Sequence, residues 1–147
     1  MRDKNSDTEL NKVEISHLDY LIIVNVKQLR LDRGLSQVKL TQKMGLSEGF
    51  VGKVEMYTER AKYSIRHIYL LASALNCNIQ DILPLEQPKH DIVRLTLRRS
   101  NKINKDGSIS RKKSTEVIKI EPVWKNRINW YMQSNEGSLK NYLNFDI

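Results

Sequence analysis

The sequence predicts a mainly α-helical fold. It has a five-helix domain built around a helix–turn–helix, then a small C-terminal extension with a basic β-hairpin and a short helix. Three observations predict this. Apolar residues recur at helical spacing from about residue 15 to residue 85. The stretch Leu35 to Glu55, LSQVKLTQKMGLSEGFVGKVE, parses as two short helices about a tight turn. Beyond residue 91 the pattern changes to apolar–polar alternation on either side of Asp106-Gly107, a hairpin-turn signal. The expected divisions are a flexible N-terminal tail at 1–14, the helical domain at 15–85, a linker at 86–91 and the extension at 92–147.

Composition narrows the function. The 147 residues, 39% of them hydrophobic, supply one small core rather than two large ones. A formal charge of +8 favours a polyanionic partner, most simply nucleic acid. The single cysteine, Cys77, forms no intramolecular disulfide and reads as a small apolar residue in a reducing cytosol. No apolar run is long enough to span a bilayer, and MRDKNSDTELNK lacks the apolar centre of a secretory signal. The expected location is cytoplasmic, with no membrane partner. His17, His67 and His90 are scattered without metal-ligand spacing, and no phosphate-binding glycine loop is present. Neither an enzyme nor a cofactor or metal is expected.

Taken in order, Ile15 to Asp32 reads as the first helix. Ile22, Val26 and Leu29 form its stripe, Ile23 and Val24 widen it, and Gly34 ends it. Ser36 is the N-cap expected for the second helix, with Leu40 and Met44 inward and Gly45 as terminator. Ser47 is expected to cap a third helix over about 48–56. Val51 and Val54 then face inward, leaving Glu48, Gly49, Phe50, Gly52 and Lys53 on or near the outer surface. Met56 to Ser64 forms a loop. Ser64 caps a fourth helix with Ile68, Leu71, Ala72 and Leu75 buried, and Asn78 with Asp81 caps a short fifth helix ended by Pro84.

The extension begins with DIVRLTLRRS, in which Val93, Leu95 and Leu97 share one face and Arg94, Thr96 and Arg98 the other. A returning strand spans about Thr115 to Glu121. From Lys89 to Lys119 ten Lys/Arg face three acids, so this stretch carries +7 of the net charge. Two readings stand side by side. Arg98, Lys102, Lys105, Arg111, Lys112 and Lys113 form a DNA arm, or the strands pair across subunits with the charges solvating their edges. An isolated hairpin is marginal in water and needs support. Trp124, Ile128 and Tyr131 at helical spacing offer it.

Ser36-Gln37, Leu40, Gly45, Ser47, Val51, Val54-Glu55 and Leu71-Ala72-Ser73-Ala74-Leu75 together resemble the Xre family, the helix-turn-helix proteins that include the lambdoid phage repressors and Cro. The match covers about residues 21–85, so the five helices are expected to take the repressor-like arrangement. The resemblance implies an architectural pair, Arg30 with Glu55. It also implies that Gln37 meets a phosphate and helps orient the reading helix. Ser47, Glu48, Gly49, Phe50 and Lys53 fall on the positions that meet DNA, and Arg60 and Lys62 lie in a loop that family members place against the backbone. This sequence departs from the pattern at Gly49 and Gly52, at Thr41 in place of a small alanine, and in a loop about two residues longer. The function implied is a transcriptional regulator, most simply a dimeric repressor, that reads double-stranded DNA as a homodimer. The alternative is a protein-interaction module, such as an antitoxin or mobile-element accessory factor, that binds a protein partner through its C-terminal region.

Overall fold

The computed structural model describes residues 8–123. Its order is β1 (Glu9–Ser16), α1 (His17–Asp32), α2 (Gln37–Lys43), α3 (Phe50–Glu55), α4 (Ile65–Leu75), α5 (Ile79–Ile82), β2 (Ile92–Ile103) and β3 (Ile109–Pro122). The five helices are present, but the mainly α description is wrong. Strands of 8, 12 and 14 residues form an antiparallel sheet in the order β1-β2-β3. The C-terminal helix expected around Trp124, Ile128 and Tyr131 lies outside the described residues.

The largest correction is at the N-terminal side. Residues 9–14, read as tail, belong to β1, and residues 15–16 belong to β1 rather than to the first helix. The strand pairs with β2 from Glu9↔Arg99 to Ser16↔Ile92. Asn11, Val13 and Ile15 lie opposite Leu97, Leu95 and Val93, so one face of both strands points into the core. Ser16 ends β1 and also caps α1, its hydroxyl accepting from the Asp19 N–H at 3.3 Å. The sheet is thus built from both sides of the helical domain, which is inserted between β1 and β2.

The alternation of Val93, Leu95 and Leu97 produces three side chains with no more than 1% exposure. They join Ile15, Ile22, Ile23, Val26, Leu40, Val51, Val54, Leu71, Leu75 and Ile82 in one apolar cluster. Burying each such side chain contributes about 1.5–3 kcal/mol. The sheet and the helices therefore share a core.

Polar side chains close the helix ends. Asn25 of α1 donates to the Asp81 and Ile82 carbonyls at 2.7 and 2.9 Å, satisfying the last turn of α5. The Arg33 guanidinium donates to the Leu75 carbonyl at the end of α4 at 2.5 Å. Asn78 N–H donates to the Asp81 carboxylate at 2.8 Å, the capping partner expected from the sequence.

The hairpin tip follows its turn signal. Gly107 sits at φ 83°, the Gly107 N–H reaches the Asn104 carbonyl at 3.0 Å, and the Asn104 N–H reaches the Ser108 carbonyl at 2.8 Å. This is a three-residue loop with glycine at the left-handed position. The register slips between Thr96 and Leu97 and again between Asn101 and Ile103. Such bulges bend and twist the ribbon.

Candidate nucleic-acid interface

The reading unit is assembled from behind. Arg30 of α1 is buried and donates from Nε and Nη2 to the two Glu55 carboxylate oxygens at 3.0 and 2.9 Å. Its third donor reaches the Leu35 carbonyl at 2.7 Å. Gln37, first in α2, donates from Nε2 to the same Glu55 carboxylate. One carboxylate thus ties the end of α3 to α1 and to the start of α2. Paired this way the charges are satisfied; removing either partner would strand the other in a dry site.

Thr41 supplies a second tie. It is 2% exposed, its hydroxyl donating to the Gln37 carbonyl at 2.9 Å and accepting from the Val51 N–H at 3.2 Å. That N–H belongs to the first turn of α3, where backbone donors have no partner within the helix. The threonine that departs from the family pattern is therefore a cap provided by the neighbouring helix.

This cap accompanies a correction to the expected reading helix. α3 begins at Phe50, and Ser47 does not cap it. The N-cap is Gly49 at φ 82°, and the Phe50 N–H bonds the Ser47 carbonyl at 3.3 Å, so Ser47 to Phe50 form a turn. Glycine is needed at position 49 for its backbone, since L side chains are disfavoured at that φ. A Cβ there would meet nothing within 4 Å, whereas one at Gly52 would lie 3.4 Å from the Gln37 side-chain oxygen. Gly52 faces α2, so it is not a bare outward position.

The expected DNA-facing residues separate into two groups. Ser47, Glu48 and Lys53 are exposed, as are Gln37 at the start of α2 and Arg60 in the loop after α3. Phe50 and Lys62 are engaged elsewhere. The Phe50 ring packs against His67 at 4.7 Å and Tyr63 at 6.0 Å between ring centres. Lys62 donates from Nζ to the Glu59 and Ala61 carbonyls at 2.6 and 3.3 Å. Burial lowers the Lys62 pKa, with Asp19 and Glu59 opposing it. The loop is closed by its own lysine.

His67, one of the scattered histidines, anchors this side. Its Nδ1 accepts from the Ser64 N–H at 2.9 Å, capping α4 while its ring supports Phe50. Burial, then the Arg66 charge, lowers its pKa, which keeps Nδ1 available as an acceptor. A histidine three residues after a serine was the signal in the sequence. The loop's other aromatics are also internal. Tyr57 takes φ 63° and is buried, its phenol lifted to about 12 mainly by burial.

A helix–turn–helix of this geometry, with its second helix locked to α1 through Glu55, belongs to a recognised group. Residues 25–88 match the family model of the Cro/C1-type HTH DNA-binding domain. Residues 25–88 thus form a Cro/C1-type helix-turn-helix domain. The chain is similar to two solved structures. A hypothetical transcription factor NHTF from Neisseria is 25% identical, covering 46% of this chain and 75% of that one, with a TM-score of 0.41. The restriction-modification controller protein C.AhdI from Aeromonas hydrophila is 30% identical, covering 46% and 96%, with a TM-score of 0.39. The search of curated proteins found no match. Among the described residues no helix is long and apolar enough to cross a membrane, and no group of three or more His, Cys, Asp or Glu is placed to hold a metal.

The charges of the basic extension are unevenly spent. On the outward face of the sheet Glu14 pairs with Arg94 at 3.1 Å, Glu116 with Arg98 at 2.7 Å and Glu121 with Lys119 at 2.8 Å. Lys119 holds the Glu121 carboxyl below its usual range. Arg98, grouped from sequence with the arm cations, is thus in an ion pair. Lys102, Lys105, Arg111, Lys112 and Lys113 have no carboxylate partner among the described residues, and all five are exposed.

Proposed function

We propose that this chain is a sequence-specific transcription regulator, most simply a repressor, that binds double-stranded DNA as a homodimer with α3 in the major groove. The observation that carries this reading is the Glu55 carboxylate, held by Arg30 and Gln37. It fixes α3 relative to α1 and α2 while leaving the opposite side of α3 free. Positional rigidity of this kind suits a helix that must present base-reading groups in a fixed register.

Lys53 is the base-reading donor, aimed at guanine O6 or N7, and Glu48 accepts from cytosine N4. Gln37 combines a phosphate contact with its hold on Glu55. The glycine turn before α3 lets the backbone approach the groove closely, since no side chain projects at position 49. Arg60 adds a sequence-independent phosphate contact. Phe50 supports the helix from its side, packed against His67 and Tyr63. A two-fold dimer places two such units on an inverted repeat.

The test is selection of duplexes from a random pool by the full-length chain at physiological salt. An enriched inverted repeat is expected, with Lys53→Ala relaxing preference at one position in each half-site. A folded protein that enriches no sequence would overturn the reading.

A further inference from the structure

The ribbon changes character at Arg99. Up to that residue β2 is flanked on both sides, by β1 and β3; Glu9↔Arg99 is the last pair of the β1 register. From Ser100 to the tip the described structure is a two-stranded ribbon. Its inner part is neutralised by the carboxylate ladder, whereas residues 101–113 hold five cations against one acid, Asp106. That acid serves the turn, accepting from the Ser108 N–H and hydroxyl at 2.9 and 2.6 Å.

An apolar pair stands in this cationic setting. Ile103 and Ile109 are direct cross-strand partners, 75% and 68% exposed. Two large apolar side chains at the end of a charged ribbon gain nothing from water, and none of the described residues covers them. By strand alternation the face of Ile103 continues inward through Asn101 and then Arg99. Across the ladder Lys113 lies opposite Asn101. The distal face therefore reads isoleucine pair, then asparagine and lysine, then arginine. Proteins that enter the minor groove combine this set: apolar wedges that unstack a base step, with Asn, Lys and Arg along the groove floor and walls.

We propose that the ribbon tip is a second DNA-binding element, which enters the minor groove beside the α3 site and kinks the duplex with the Ile103–Ile109 wedge. The proposal rests on duplex DNA as the partner, and it assigns the tip a function separate from base reading by α3. The five unpaired cations hold the phosphates on either side of the groove. The bulges that offset β3 give the ribbon the bend such tracking needs. The carboxylate ladder keeps the inner ribbon from binding phosphate, so contact is confined to the tip.

The experiment uses the full chain and a roughly 40-base-pair duplex carrying the selected sequence at its centre, with a donor and an acceptor dye at its ends. Binding is followed against salt, and bending by energy transfer. Wild type is expected to shorten the end-to-end distance. Neutralising the five cations (K102Q, K105Q, R111Q, K112Q, K113Q) should lower the slope of log K against log salt by about 4 and abolish the bend. Ile103→Ser with Ile109→Ser should remove the bend while keeping most of the slope. All these side chains are exposed, so folding is monitored by circular dichroism and expected to be unchanged. An unaltered slope and bend in the charge variant would overturn the proposal. So would a serine pair that leaves the bend intact but halves the mass in sedimentation, which would make the isoleucines a subunit interface. Lys53→Ala separates the two readings. It should relax sequence preference and leave bending in place, whereas unchanged preference would count against α3 and not against the tip.

Discussion

Two of the Arg–Glu pairs among the described residues have nearly the same N–O distance and different consequence. Arg30 and Glu55 meet at 2.9 Å with side chains 7% and 2% exposed; Arg98 and Glu116 meet at 2.7 Å with side chains 47% and 63% exposed. The first lies in the helical domain, where a third residue, Gln37, shares the carboxylate. The second lies on the sheet, where water and salt compete for both charges. Distance alone does not rank them; the surroundings do. In the helical domain polar groups are turned inward to fix one helix, and in the ribbon they are turned outward to set where charge is available.

The comparison is tested most severely by removing one partner at a time. Glu55→Ala leaves a buried guanidinium unpaired and should cost about 3–5 kcal/mol, read from a denaturant midpoint. A loss no larger than that of an exposed pair would remove the distinction. Thr41→Val tests the second tie. It leaves the Val51 N–H without its acceptor at nearly constant volume and should cost about 1–3 kcal/mol, whereas Thr41→Ser should retain most of it. Glu116→Gln should change stability by less than about 1 kcal/mol, with the difference shrinking further as salt is raised. A large, salt-insensitive effect there would contradict the exposed character of the ladder.

The smallest effect concerns the join between the two regions. His17 accepts at Nδ1 from the His90 N–H at 3.2 Å, and the two rings stack 5.6 Å apart. Burial, then the His90 charge, lowers the His17 pKa from 6.5, with Lys89 adding to the same direction. A folded pKa below the unfolded one contributes stability that is present above the unfolded value and lost as pH falls through the folded value. Protonating Nδ1 also removes the acceptor. The His90 amide resonance should therefore shift and broaden on acidification below about 6.5 while amides within α4 stay in place.

Local chemistry was legible in the sequence. The alternation of Val93, Leu95 and Leu97, the Asp106-Gly107 turn and the Asn78–Asp81 cap each depend on residues near one another, and each appears as expected. The order of the five helices follows from the spacing of their apolar stripes. What escaped were pairings across distance. β1 offers only Val13 and Ile15 to the core among charged neighbours, so it reads as tail until β2 stands beside it. Its pairing partner lies about eighty residues along the chain. Thr41 registers in sequence only as a departure from a familiar pattern, because its role requires the Val51 N–H to come within reach of its hydroxyl. Phe50 falls on a DNA-facing position by alignment, yet the long loop brings Tyr63 and His67 under its ring. The outward position of Gly49 was likewise a matter of spacing, whereas its φ is a property of the folded turn.

The insertion of the helices between β1 and β2 has a mechanical consequence. A protease that cuts the segment at 86–91 severs only one of the two covalent links between helices and sheet. The other is the peptide bond between Ser16 and His17, where strand passes into helix with no spacer. The fragment beginning with β2 would stay attached through eight residues of ladder with β1. Strand β1 thus runs straight into the first turn of α1, the helix whose Arg30 holds Glu55 of α3.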